Sequence, residues 1–139
     1  MSTPIVSTKD AIPVVNTSHP GAKITKVVIL TKQSMFESLK AALDGIGITG
    51  MTVTQILGFG MQKGSKEYYR GVPVETTLLP KVKAEIVICK VPVALMVDTV
   101  KKALYTGNIG DGKIFIYDVE NVIKVRTGDE GYDALQDED

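Results

Sequence analysis

The chain has 139 residues, 44% of them hydrophobic and 23% charged, and its formal net charge is zero. That length suits one domain with its own core, and the charge balance argues against a general nucleic-acid binder, which carries a basic excess. No apolar run approaches the ~20 residues of a membrane span, so no membrane insertion is expected. One cysteine (Cys89) and one histidine (His19) exclude a His/Cys metal cage, an internal disulfide and a histidine-based triad. With no signal-peptide pattern at the start, the cytoplasm is the expected compartment.

Residues 1–21 hold Pro4, Pro13 and Pro20 among many Ser and Thr without sustained periodicity, and read as a flexible N-terminal extension. Ile24-Thr-Lys-Val-Val-Ile-Leu30 is β-branched and apolar, a buried strand. Ser34 with Glu37 three residues on predicts a capping box. Phe36, Leu39, Ala42 and Leu43 follow at helical spacing, and Gly45-Ile-Gly47 ends the helix. Gly50 to Gly60 alternates as a second strand. Residues 61–80 lose periodicity, and a loop this long is expected to be functional or mobile. Tyr68, Tyr69 and Arg70 read as its recognition tip, or else as part of a hairpin reaching out of the sheet.

Val82–Cys89 predicts a third strand and Pro92 the entry to a second helix, with Leu95, Met96, Thr99, Val100, Ala103 and Leu104 on one stripe. Thr106-Gly-Asn-Ile-Gly-Asp-Gly-Lys113 then joins that helix to the strand Lys113–Tyr117. Its glycines let backbone N–H groups converge on an anion, and Lys113 adds positive charge at the exit. Asp111 reads either as a turn residue or as part of that site. Val122–Arg126 is expected as a last short strand with Lys124 and Arg126 on one face. An acidic segment, 129–139, closes the chain, and its end from Gln136 is expected to be solvated. The order β-α-β-loop-β-α-β predicts an α+β, ferredoxin-like βαββαβ domain: an antiparallel four-stranded sheet with both helices on one face. The uncovered face is expected to be buried by oligomerisation.

From about Ile24 to Gly128 the chain resembles the PII signal-transduction family, the GlnB/GlnK-like regulators of nitrogen metabolism. The matching stretches are Gly47-Ile-Thr-Gly-Met-Thr-Val-Thr54, Gly58-Phe-Gly60, Gln62-Lys-Gly64, Tyr69-Arg-Gly71, Leu79-Pro-Lys-Val-Lys83, Thr106 to Phe115, and Arg126-Thr-Gly128. The resemblance implies a PII-like domain over 22–128, a flexible T-loop at about 60–78, and a homotrimer with ATP or ADP bound competitively in clefts between subunits. It implies that Gly110, Gly112 and Lys113, with Asp111 beside them, hold phosphates. It also implies that Lys124 and Arg126 add charge, that Gly58 and Gly60 border the nucleotide, that Thr52 and Val87 line the base pocket, and that Thr106 of the neighbouring subunit forms its opposite wall. Gln62 and Lys81 match the positions that hold 2-oxoglutarate beside Mg²⁺ and ATP, with Gln62 reaching the metal. The implied role is control of a transporter, a nitrogen-metabolism enzyme or a transcription factor through the T-loop; it is not that of an enzyme.

The chain departs from the family pattern at Met61, where an arginine is usual, at Val74, where many bacterial members carry the uridylylated tyrosine, and across the loop tip 72–78. Lysine at Lys124 stands where arginine is usual and lacks its bidentate fork. Two readings therefore stay open: a regulator that also senses 2-oxoglutarate, and an energy-only ADP/ATP sensor acting on another nutrient transporter. A slow ATPase is a further alternative, though no Asp or Glu is evidently placed as a base for water.

Overall fold

The computed structural model describes residues 23–60, 68–69, 72–73 and 77–136. The N-terminal extension, Met61, Gln62, Arg70, Val74 and the last three residues lie outside the described residues. Strand β1 (Thr25–Lys32) leads through a tight 3-10 turn at Gln33–Met35 into helix α1 (Phe36–Gly45). Strand β2 (Thr52–Gly60) follows, then the short strands β3 (Tyr68–Tyr69) and β4 (Val72–Pro73), the long strand β5 (Thr77–Ile88), helix α2 (Val93–Leu104) and strand β6 (Lys113–Asp118). The main sheet runs β2-β5-β1-β6 with every neighbour antiparallel. This is the ferredoxin-like arrangement expected from the sequence.

The β-branched alternation of β1 explains how the sheet gets two distinct faces. Residues directly opposite in an antiparallel ladder share a face. Val27 and Ile29 sit opposite Ile86 and Ala84 on β5 and opposite Ile116 and Ile114 on β6. Onto this face pack Leu39 and Leu43 of α1 and Met96, Val100 and Leu104 of α2, closing the core with Ile48 and Ile88. Lys26, Val28, Leu30 and Lys32 point the other way, beside Lys81, Lys83, Glu85 and Val87 of β5 and Lys113, Phe115 and Tyr117 of β6. No helix covers that face among the described residues.

Several boundaries differ from the sequence reading. The Ser34/Glu37 capping box does not form: Ser34 lies inside the 3-10 turn, Met35 is the N-cap without a side-chain bond, and Glu37 pairs instead with Lys40 at 3.3 Å. The chain leaves β1 directly into a tight turn, so burying Leu39 and Leu43 sets the helix phase, not the cap. β5 begins earlier than expected, because Thr77–Pro80 pair with Leu57–Gly60 of β2. Pro80 is tolerated there because the β1 partner of β5 has already ended at Lys32, opposite Lys81. Tyr68–Tyr69 pair with Val72–Pro73, giving the hairpin alternative.

The expected strand Val122–Arg126 is absent. Ile123 makes an isolated bridge to Glu130, and the chain turns over 124–128, closed by the Gly128 N–H donating to the Lys124 carbonyl at 2.7 Å. Lys124 is consequently buried and Arg126 exposed, not side by side on one strand face. The segment behind them also differs from expectation. Gly131–Leu135 forms a 3-10 helix with Ala134 buried, and the Gln136 amide donates to the Tyr132 carbonyl at 2.5 Å and reaches the Cys89 sulfur at 3.9 Å. Gln136 is therefore half-buried and hydrogen-bonded rather than freely solvated. Burial raises the Cys89 thiol above its ordinary pKa, which leaves it a poor nucleophile at neutral pH.

Candidate functional site

The glycine loop lies where α2 hands the chain to β6, against the end of β1. Gly112 is held at φ +118, and a Cβ there would stand 2.0 Å from the Leu30 carbonyl oxygen. Only glycine lets the loop backbone lie this close to β1. From beneath, the wholly buried Thr31 hydroxyl donates to the Asp111 carbonyl at 3.0 Å. The loop is thus seated on the sheet by its own contacts.

Inside the loop the Asp111 carboxylate turns back on the loop's own entry. It accepts from the Thr106 N–H at 2.7 Å, from the Gly107 N–H at 2.9 Å and from the Thr106 hydroxyl. The Thr106 hydroxyl in turn accepts from the Asn108 N–H at 3.2 Å. These bonds, the Thr106 hydroxyl first, hold the Asp111 carboxyl below the usual aspartate range, with Lys32 adding a smaller effect. The amides of Ile109, Gly110, Asp111 and Gly112 have no hydrogen-bond partner among the described residues. Successive unpartnered amides in such a bend form an anion-binding concavity.

These amides border an open cleft of about 660 Å³ between the loop, Leu30 and the end of β2. Gly58 and Lys81 line it as well, with the Lys81 side chain lying across Gly58 where a Cβ would come within 2.4 Å of its Cε. The ladder register sets Lys32 opposite Lys81, and Lys83 and Lys113 both opposite Leu30, on the uncovered face. None of these four lysines is in an ion pair among the described residues. A cleft with free amides and unpaired ammonium groups favours a polyanion.

Gly58, Lys81, Gly110, Asp111, Gly112 and Lys113 therefore meet at one cleft. Gly60, which pairs with Thr77, lies at the same end of the sheet. Thr52 and Val87 do not meet them: Thr52 pairs with Glu85, and Val87 lines a separate cavity of about 710 Å³ between the 47–50 turn and the C-terminal Leu135 and Gln136. Lys124 and Arg126 belong to the C-terminal turn, away from the glycine loop's cleft. Two of the side chains expected at the site bond within the loop itself. The side-chain oxygens of Asp111 face the loop's own donors, as the turn-residue reading had it. The Thr106 hydroxyl is likewise engaged within the loop. The C-terminal contact at Gln136 has no signature in the sequence, because a polar acidic run gives no periodic signal.

The family model for nitrogen regulatory protein P-II matches residues 24–129. This chain belongs to the P-II family. It is 47% identical over 110 residues to the nitrogen regulatory PII-like protein of Bacillus subtilis (strain 168), covering 79% of this chain and 95% of that one. It is 49% identical to nitrogen regulatory protein P-II 1 of Escherichia coli (strain K12), over 79% of this chain and 98% of the other. Among solved structures, B. subtilis GlnK aligns with a TM-score of 0.67 at 46% identity, over 81% of this chain and 99% of that chain. The B. subtilis GlnK–ATP complex aligns with a TM-score of 0.69 at 40% identity, over 84% of this chain and all of that one. The P-II relatives are named as nitrogen regulatory proteins, so the family's role is regulatory. No helix among the described residues is long and apolar enough to cross a membrane.

Proposed function

We propose that this P-II chain is a homotrimeric regulator that binds ATP and ADP competitively in clefts between subunits and signals through its T-loop. The observation that carries this reading is the run of amides from Ile109 to Gly112, unpartnered among the described residues, beside a cleft that Lys81 and Lys113 also line. The similarity to the B. subtilis GlnK–ATP complex supports the choice of nucleotide. The trimer is supported by the uncovered sheet face, where Phe115 and Tyr117 remain 39% and 51% exposed. It is also supported by the separation, within one chain, of Thr52, Val87, Lys124 and Arg126 from the glycine loop's cleft. A neighbouring copy supplies the missing walls in this reading.

In the proposed division of labour, Gly110, Gly112 and Lys113 hold phosphates, Gly58 and Gly60 border the nucleotide, Thr52 and Val87 meet the base, and Lys124 and Arg126 add charge. Among the described residues no group of three His, Cys, Asp or Glu converges. Mg²⁺ would accordingly arrive with the polyphosphate and use Gln62, rather than occupy a resident cage. The T-loop, with Tyr68, Tyr69 and Arg70, docks on a nitrogen-metabolism enzyme, a transporter or a transcription factor. With valine at Val74, uridylylation at that position is not available.

A second reading is favoured by Met61. A methionine cannot place positive charge on the γ-phosphate, which tilts preference toward ADP and weakens the ATP-dependent 2-oxoglutarate site at Gln62 and Lys81. The protein is then an energy-only sensor. Calorimetric titration with ATP, ADP and 2-oxoglutarate separates the two, since clear 2-oxoglutarate binding in the presence of MgATP excludes the energy-only version. Lys113→Ala is expected to weaken ATP roughly tenfold or more through loss of a charge-assisted contact. Unchanged affinity in that variant would remove Lys113 from the site. Phosphate release from ATP should be slow; a fast turnover would indicate an enzyme instead.

A further inference from the structure

We propose that Asp111 is the positioning residue of the glycine loop: its carboxylate clasps the loop's entry and thereby keeps the amides of Ile109 to Gly112 turned toward the cleft. The proposal rests on the nucleotide reading above for its ligand, but its geometry stands independently.

Two opposed effects act at this position. Asp111 carries a negative charge among the residues that line the anion-binding cleft, and by Coulomb's law alone that charge repels a polyphosphate. Against this, the carboxylate satisfies the Thr106 and Gly107 amides and the Thr106 hydroxyl, while Thr31 fixes the Asp111 peptide to β1. Without the clasp the entry amides lose their acceptor. Among the described residues the bend then keeps the close seat of Gly112 on Leu30, the Thr31 bond and the Asn108 N–H to Thr106 hydroxyl bond. A freely hinged loop has to be ordered by the ligand, and that ordering reduces affinity. The carboxylate makes three hydrogen bonds within the loop, each to a donor that would otherwise need water, so the clasp outweighs the repulsion.

The two effects predict opposite signs, which makes the proposal testable. The first measurement is amide hydrogen exchange on the full chain without nucleotide. The Thr106 and Gly107 amides should be protected in the wild type and exposed in Asp111→Ala. The second is calorimetric affinity for ATP, ADP and adenosine. Asp111→Ala should weaken ATP and ADP by roughly tenfold while leaving adenosine unchanged. Asp111→Asn keeps an acceptor and loses the charge, so it should stay within about threefold of wild type.

Tighter or unchanged ATP binding by Asp111→Ala would overturn the proposal, as charge alone would then decide. Fast exchange at Thr106 and Gly107 in the wild type would also overturn it. So would an equal loss for adenosine, which would mark a general collapse of the site. If the wild type binds no nucleotide, the nucleotide reading fails while the exchange measurement still decides the clasp.

Discussion

The two faces of the sheet differ in what they leave unfinished. On one, Val27, Ile29, Leu39, Leu43 and Met96 are fully buried within a single chain. On the other, Phe115, Tyr117 and Val87 stay accessible at one end and the lysines Lys32, Lys81, Lys83 and Lys113 gather at the other. The first face holds the fold together. The second is where the proposed assembly and ligand chemistry take place, because charge unpaired among the described residues and uncovered apolar area both call for something further to bind.

The largest effect that would sharpen this contrast is Phe115→Asp. A charge on the uncovered face should abolish the proposed trimer, and nucleotide binding with it, while the monomer keeps its far-UV spectrum. Light scattering after size-exclusion chromatography reads this directly, and a variant that remains fully trimeric breaks the contrast. On the covered face, Leu43→Ala should cost about 3 kcal/mol of stability in a denaturant melt yet leave the assembled species trimeric. A next smaller pair compares two glycines. Gly112→Ala meets the Leu30 backbone and should cost about 2 kcal/mol. Gly128→Ala, at φ +80 with open space around it, should cost about 1 kcal/mol from backbone strain alone. Equal melting shifts would mean that the loop is not seated on β1 as described.

The smallest effect concerns pH. The Asp111 carboxyl is held below its ordinary value, first by the Thr106 hydroxyl and then by the Thr106 and Gly107 amides. A depressed folded-state pKa contributes order that is fully present above the unfolded value, near 3.9 for aspartate, and lost as pH falls through the folded value. Exchange protection of Thr106 and Gly107, corrected for intrinsic rates, should therefore be flat through neutral pH and fall only below about pH 4. A loss of protection near pH 6 would point to a different group.

The sheet and both helices are legible in the sequence because their apolar residues repeat with the periods that burial demands. Leu39 and Leu43 at helical spacing outweighed the Ser34 cap signal, and the helix start moved accordingly. Val122–Arg126 reads as a strand by composition, yet the Gly128 N–H closes a turn onto Lys124 instead. Local propensity alone does not anticipate that bond. The early start of β5 was hidden by Pro80, whose missing N–H matters only where a strand has partners on both sides. At the site, the glycines announced a close backbone approach, and Gly112 against Leu30 supplies it. The direction of the Asp111 carboxylate was not legible, because a turn aspartate can face its own loop or a ligand with the same sequence. The separation of Thr52, Val87, Lys124 and Arg126 from the loop follows from register and chain reversal, which motif matching does not encode.

The most direct measurement is an isothermal titration of the assembled protein with ATP and with ADP, each then displaced by the other. One site per chain, mutual competition and an ADP affinity at least equal to that for ATP are the expected results. Absence of binding heat and of thermal protection by either nucleotide would contradict a nucleotide cleft at the glycine loop.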